Sequence, residues 1–140
     1  MLRPAAAALA ELKAGVRKDP KRHERLFEVQ CRGLRLPTFL REHRFAKESH
    51  GRNWRFDFYW PEYLVAVEIE GLVVRKIGGE TVVTGRHATI TGMREDMDKY
   101  NHAALLGIHV LRFEQGTIKG GEPIAMTQRV LAARGWKGAA

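Results

Sequence analysis

The segment from Trp54 to Gly71, WRFDFYWPEYLVAVEIEG, constrains the fold most, because it places three carboxylates in the most apolar part of a basic chain. Up to Trp60, large aromatic residues alternate with other side chains, among them Asp57. Such alternation is the period of a strand with one packed face and one polar face. We therefore predict a strand that ends before Pro61 and carries Asp57 on its polar face.

A second strand is predicted from Leu64 to Glu70, a run rich in Val and Ile that Gly71 ends. Glu68 and Glu70 are two positions apart in it, so both glutamates lie on the same side of the strand.

The two strands form a hairpin if residues 61–64 are its loop. Trp60 then pairs with Val65, which sets Asp57 opposite Glu68. The register is assumed from the loop length, and a slip of one residue would send Asp57 to the other face.

Two carboxylates that face each other across neighbouring strands, with Cβ atoms roughly 5 Å apart, repel unless one is protonated or a cation lies between them. Magnesium suits such a position, because it prefers oxygen ligands and typically uses one or two carboxylates. The alternative is an ordinary hairpin whose acids are solvated and neutralised by Arg55, which this register sets opposite Glu70. Sequence chemistry leaves both interpretations open.

Further motifs follow this segment in order: Gly85-Arg86-His87, then D-x-x-K-Y-N from Asp96 to Asn101, then G-x-x-V-L-R-F from Gly107 to Phe113. Together with D-F and the E-I-E-G eleven residues later, the set resembles the PD-(D/E)xK nuclease superfamily. Within it, the set is similar to small bacterial and phage endonucleases of the very-short-patch repair type. The resemblance covers roughly Lys21 to Leu131.

This resemblance implies a restriction-endonuclease-like α/β fold, a mixed β-sheet core flanked by helices in αβββαβ order. It also implies magnesium-dependent hydrolysis of DNA phosphodiesters, with Mn²⁺ as a substitute metal. Asp57, Glu68 and the main-chain carbonyl of Ile69 would be the metal ligands. A nucleic-acid-binding module that does not cleave, or an RNA nuclease, are the alternative functions.

The third motif position holds Glu70 where a lysine is usual in the superfamily. Lys99, His87 or Glu70 itself are the candidates for the missing group, and a simple Asp96–Lys99 pair within a helix is the alternative for the lysine.

Glu24, in H-E-x-x-F-x-x-Q, matches a glutamate that can approach the metal in the resembled nucleases. An exposed helix glutamate is the other interpretation.

Lys and Arg outnumber Asp and Glu by 24 to 16, which gives a net charge of +8 and favours an anionic polymer, here DNA, as partner. The candidate nucleic-acid-binding residues are Arg44, Lys47, Arg52, Arg55, Lys76 and Arg86.

A chain of 140 residues suits one domain, with residues 1–20 as an arm or marginal helix and residues 21–140 as the nuclease-like domain. A single cysteine, Cys31, fits a reducing cytoplasm, in a bacterial cell or a phage-infected host. We expect no membrane association and no small-molecule cofactor, and a homodimer is left open.

Outside the central hairpin, periodicity and turn residues predict helices over Lys21–Gly33, Arg94–Leu106 and Pro123–Arg134. A turn is expected at Ser49–Asn53, and a second hairpin over Val73–Thr84 turns at Gly78-Gly79. The apolar density of Ile108–Phe113 predicts a central strand.

Overall fold

The computed structural model of the protein describes residues 19–84 and 89–139. Within these ranges the elements in chain order are helix α1 (Arg22–Gly33), strand β1 (Leu40–His43), the one-turn helix α2 (Lys47–His50), strands β2 (Phe56–Trp60), β3 (Val65–Glu70), β4 (Val73–Ile77) and β5 (Glu80–Thr84), helix α3 (Ile90–Leu105), strand β6 (His109–Glu114), a 3₁₀ helix (Gln115–Gly120) and helix α4 (Glu122–Ala133).

The main sheet is mixed and has the order β1-β2-β3-β6 in the described part of the chain. Strands β1, β2 and β3 are antiparallel neighbours, whereas β6 runs parallel to β3. Trp60 pairs with Val65, so the predicted hairpin register is confirmed. The α/β class with a mixed sheet and flanking helices is confirmed as well.

The second hairpin, β4–β5, forms a separate two-stranded sheet. Gly78 and Gly79 connect its strands with φ angles of +59° and +83°. Two consecutive positive φ angles define the type I′ turns that suit the twist of a tight hairpin, and glycine adopts them without steric cost. The predicted turn is confirmed.

Helices cover both faces of the main sheet. On one face, α1, α4 and the 3₁₀ helix bury a cluster that includes Val65 and Val67 of β3. On the other face, Ala103 of α3 packs with Ala66 of β3. Because side chains alternate along a strand, the residues that follow Ala66 on the α3 face are Glu68 and Glu70.

The predicted place of one strand is wrong, and one predicted turn overlaps a short helix. Ile108–Phe113 was expected to be central, yet among the strands of residues 19–84 and 89–139 β6 lies at the end of the sheet order. Its apolar residues are explained by packing on both faces, since Leu111 packs with the α1 and α4 cluster and Val110 packs with the α3 cluster. The first two residues of the turn expected at Ser49–Asn53 belong to helix α2, and Gly51 then ends this helix in the left-handed region, with a φ of +66°.

No helix in residues 19–84 and 89–139 combines the length and the apolar character that crossing a membrane requires.

Arg41 of β1 connects its own strand with helix α1 and strand β2. Its guanidinium donates to Glu24 at 3.0 Å and to Glu28 at 2.9 Å, both on α1, and to the main-chain carbonyl of Asp57 at 3.0 Å. It also lies 4.3 Å from the centre of the Phe58 ring. One side chain therefore sets the position of α1 against the strand that carries Asp57.

We expect Arg41→Met to lower the free energy of unfolding by about 2 kcal/mol, the scale of losing hydrogen bonds between charged groups that are partly desolvated. Arg25→Met is the matched control, because its partner Asp19 is bound at the exposed start of α1 and such pairs contribute little. Urea unfolding measures both variants. Equal effects of the two substitutions would contradict the role of Arg41.

Candidate active site

Asp57 lies where the pairing of β2 with β3 stops. The last pair of the ladder is Phe58 with Val67, and one further step sets Asp57 opposite Glu68. Instead of continuing the ladder, Asp57 Oδ2 accepts a hydrogen bond from the N–H of Ile69 at 2.7 Å. The N–H and C=O of a strand residue point to the same edge, so the Ile69 carbonyl also lies on the side of Asp57.

Burial raises the pKa of the Asp57 carboxyl above its ordinary value. The hydrogen bond from Ile69 and the positive charges of Lys99 and Arg41 act in the opposite direction without outweighing the loss of hydration. The carboxylate of Asp57 is thus held in a setting where a closely bound cation would be strongly favoured.

Glu68 is 6% exposed, and both of its carboxylate oxygens are bound by side chains of α3. Lys99 Nζ donates to Oε1, and the Tyr100 hydroxyl donates to Oε2. The Lys99 ammonium also lies 5.5 Å from the centre of the Phe56 ring. A buried glutamate therefore has a buried counterion and a neutral hydrogen-bond donor.

Burial lowers the pKa of the Lys99 ammonium from its ordinary value to about 8, although the Asp57 carboxylate favours the charged form. Lys99 thus lies within the electrostatic reach of both acids, bonded to Glu68 and attracted by Asp57. It occupies the position of the cation that two facing carboxylates require.

Glu70 is neutralised from β6 and not by Arg55. Arg112 Nε donates to Glu70 Oε1 at 2.8 Å, and the Tyr100 hydroxyl lies 3.2 Å from the same oxygen. The ion pair of Arg55 is instead with Glu42, at 3.9 Å. The expected pairing of Arg55 with Glu70 is therefore replaced by one that depends on the parallel strand beside β3.

A cavity of about 610 Å³ opens onto these groups. The predicted residues that line it are Asp57, Glu68, Ile69, Glu70, Lys99, Arg52 and Arg55. Glu42, Asn53, Trp54, Glu95 and Asp96 complete the lining.

The other predicted residues lie farther away. Arg44 lies with Arg55 on an adjoining open surface. Lys47 begins α2 and Lys76 lies on β4, and neither lines the cavity. His87 and Arg86 fall outside the described residues.

Glu24 is neither exposed nor part of the cavity lining. Its carboxylate accepts from Arg41, and its side chain is 16% exposed. Burial and the negative charge of Asp57 raise the pKa of Glu24 above its ordinary value. The negative charges of Glu24 and Asp57 therefore repel each other. Arg41 also links the two residues, because its guanidinium binds the Glu24 carboxylate and the Asp57 main chain.

The donor set fits a hard divalent cation. Within residues 19–84 and 89–139, no group of three or more His, Cys, Asp or Glu side chains is arranged to hold a metal ion. The set comprises the carboxylates of Asp57 and Glu68 and the carbonyl of Ile69, which matches the preference of magnesium for few protein oxygens and several waters. The Lys99 ammonium on Glu68 shows that positive charge is stabilised at this place, and a metal bound to Glu68 would have to share its oxygens with Lys99 and Tyr100.

Comparisons of the chain with protein-family models, with curated proteins and with solved structures found no match.

Sequence reasoning missed two groups of the site, Tyr100 and Arg112. Tyr100 stands beside Lys99 in the D-x-x-K-Y-N motif, and a helix turns by about 100° per residue, so neighbours can flank one target. Arg112 is the arginine of G-x-x-V-L-R-F, and it aligns with Glu68 in the parallel register. The contact of Arg112 with the acids of β3 can be inferred only once β6 is known to pair with β3.

We expect Lys99→Met to lower the free energy of unfolding by roughly 3 kcal/mol without divalent cations, because Glu68 would lose its buried counterion. The double variant Lys99→Met/Glu68→Gln should recover most of this loss, since the uncompensated charge is then removed as well. Urea unfolding of the single and double variants completes a double-mutant cycle. Strictly additive effects would show that the pair is not coupled.

Proposed function

We propose that the protein is a metal-dependent DNA endonuclease of PD-(D/E)xK type, which hydrolyses phosphodiester bonds with Mg²⁺. The observation that carries the proposal is the set of Asp57, Glu68 and Lys99 on one cavity wall, two desolvated carboxylates and an ammonium. A module that only binds nucleic acid has no need to desolvate an acid pair, which is costly.

Asp57, Glu68 and the Ile69 carbonyl would hold the metal. When bound, such an ion polarises the phosphate and lowers the pKa of a coordinated water. The hydrogen bond from the Ile69 N–H fixes Oδ2 of Asp57, so the carboxylate is oriented before any ligand arrives. Tyr100 orients Glu68 in the same way, through Oε2.

Lys99 is the group that we assign to the position of the usual motif lysine. It comes from α3 rather than from β3, yet its ammonium reaches the Glu68 carboxylate. A positioned ammonium at this place can donate to a phosphate oxygen as negative charge develops there. Glu70 is bound by Arg112 and Tyr100, which supports a structural role for this acid.

Two arginines of the cavity lining and the net charge of the chain support an anionic polymer as substrate. Arg52 and Arg55 line the cavity together with the acids, and the chain carries a net charge of +8. Backbone phosphates would bind these side chains with little dependence on sequence and with a strong dependence on salt.

Asp57→Asn should abolish cleavage and leave DNA binding close to that of the wild type. The amide oxygen of asparagine can still accept from Ile69, whereas the ligand charge is lost. Cleavage is measured on a panel of labelled linear, nicked, branched and single-stranded DNAs, incubated with and without Mg²⁺. Binding is measured by titrating the protein into labelled DNA in the presence of EDTA. Magnesium-dependent cutting by purified Asp57→Asn at the wild-type rate would refute the assignment.

Lys99→Met should lower the single-turnover cleavage rate by roughly a hundredfold or more, the scale of losing one preorganised charge-stabilising group. Lys119→Met is the matched control, because Lys119 is an exposed lysine in the 3₁₀ helix. Saturating Mg²⁺ during the assay separates the effect on rate from any effect on metal affinity, and urea unfolding of the same variant gives its folded fraction. A wild-type rate for Lys99→Met would transfer the role to another group, with His87 tested next by His87→Ala.

A further inference from the structure

Planar side chains form a continuous stack from the core to the rim of the cavity, which we call the aromatic stack (Phe56, Phe45, Trp54 and Arg52). The rings of Phe45 and Phe56 are 4.0 Å apart and nearly parallel, at 10°. The Trp54 ring stacks on Phe45 at 6.4 Å and 20°. The Arg52 guanidinium lies 4.1 Å from the centre of the Trp54 ring.

The aromatic stack is anchored at its inner end and open at its outer end. Phe56 is fully buried, and the Lys99 ammonium lies over its ring, 5.5 Å from the ring centre. Trp54 is half-buried, and His102 of α3 packs against it at 5.1 Å. Arg52 is exposed, and with Asn53 and Trp54 it lines the cavity that holds Asp57 and Glu68.

A structural role alone explains the inner rings but not the outer end. Burying Phe45 and Phe56 stabilises the fold by ordinary packing. The half-buried Trp54 ring lines the acidic cavity and is covered by the Arg52 guanidinium. The exposed outer face of this guanidinium is therefore the planar surface that the stack presents to the cavity. Aromatic rings and arginine planes are the groups on which proteins stack unpaired nucleobases.

We infer that Arg52 and Trp54 form a stacking subsite for one unstacked nucleobase next to the phosphate to be cut. The inference rests on the proposed function for its substrate, and it narrows that substrate to DNA with an unpaired or extrahelical nucleotide. Asn53 provides an amide donor and acceptor on the same wall for the edge of the base. The shared ring of Phe56 places this subsite and Lys99 on one rigid support.

The test measures binding in EDTA, so that cleavage plays no part. The probes are a short oligodeoxythymidylate and an abasic deoxyribose-phosphate strand of equal length, which carry the same charge and differ only in their bases. Wild type should bind the thymidylate about tenfold more tightly, the scale of one stacked base. Its tryptophan emission should be quenched on binding, and Trp54→Phe should remove that quenching.

Arg52→Lys keeps the charge but loses the planar group, so it should lose most of the preference for bases. Trp54→Phe should keep much of the preference, whereas Trp54→Leu should lose it. Arg129→Ala is the charge control, since Arg129 is exposed on α4, and it should lower the binding of both probes equally or not at all.

Equal binding of both probes by the wild-type protein would overturn the subsite, as would an Arg52→Lys variant that keeps the full preference. Cleavage without a preference for bases would refute the subsite and leave the proposed function standing. A preference for bases without any metal-dependent cleavage would refute the proposed function and support a binding role for the aromatic stack.

Discussion

The desolvated carboxylates of Asp57 and Glu68 are the constraint on which the arrangement around the sheet depends. A buried glutamate without a counterion would cost several kcal/mol, and Lys99 and Tyr100 remove that cost by binding both Glu68 oxygens. Helix α3 is therefore oriented by charge as well as by packing. Its methionines Met93 and Met97 are left 46% and 59% exposed. The free energy that such partial exposure costs per side chain is smaller than the cost of an unpaired buried acid.

The face of the sheet beneath α3 is divided along the strands. Near the start of β3 it is apolar, where Ala66 packs with Ala103 and Ile108. Toward the end of β3 it carries Glu68 and Glu70, and the parallel partner β6 brings Arg112 level with Glu68. Because parallel strands end at the same edge, the acids and their balancing arginine are collected at one end of the fold.

Prediction from sequence succeeded where the pattern is local. The register of the β2–β3 hairpin and the place of the turn at Gly78-Gly79 follow from alternation and turn residues, and both are confirmed. The central position of Ile108–Phe113 was wrong, because an apolar run reports burial on two faces but not the place of a strand in the sheet. Of the site, the facing positions of Asp57 and Glu68 were predictable by the same local reasoning.

The sequence alone therefore determined which acids share a face, since a period of two and a short loop leave few registers open. Only the tertiary structure decided what neutralises them. Lys99 lies 31 residues after Glu68 and Arg112 lies 42 residues after Glu70. Such contacts depend on how α3 packs on the sheet and on the pairing of β6 with β3. The aromatic stack depends on the tertiary structure only in part: Trp54 and Phe56 are two residues apart at the start of β2, and the folded chain brings Phe45, from the segment after β1, between their rings.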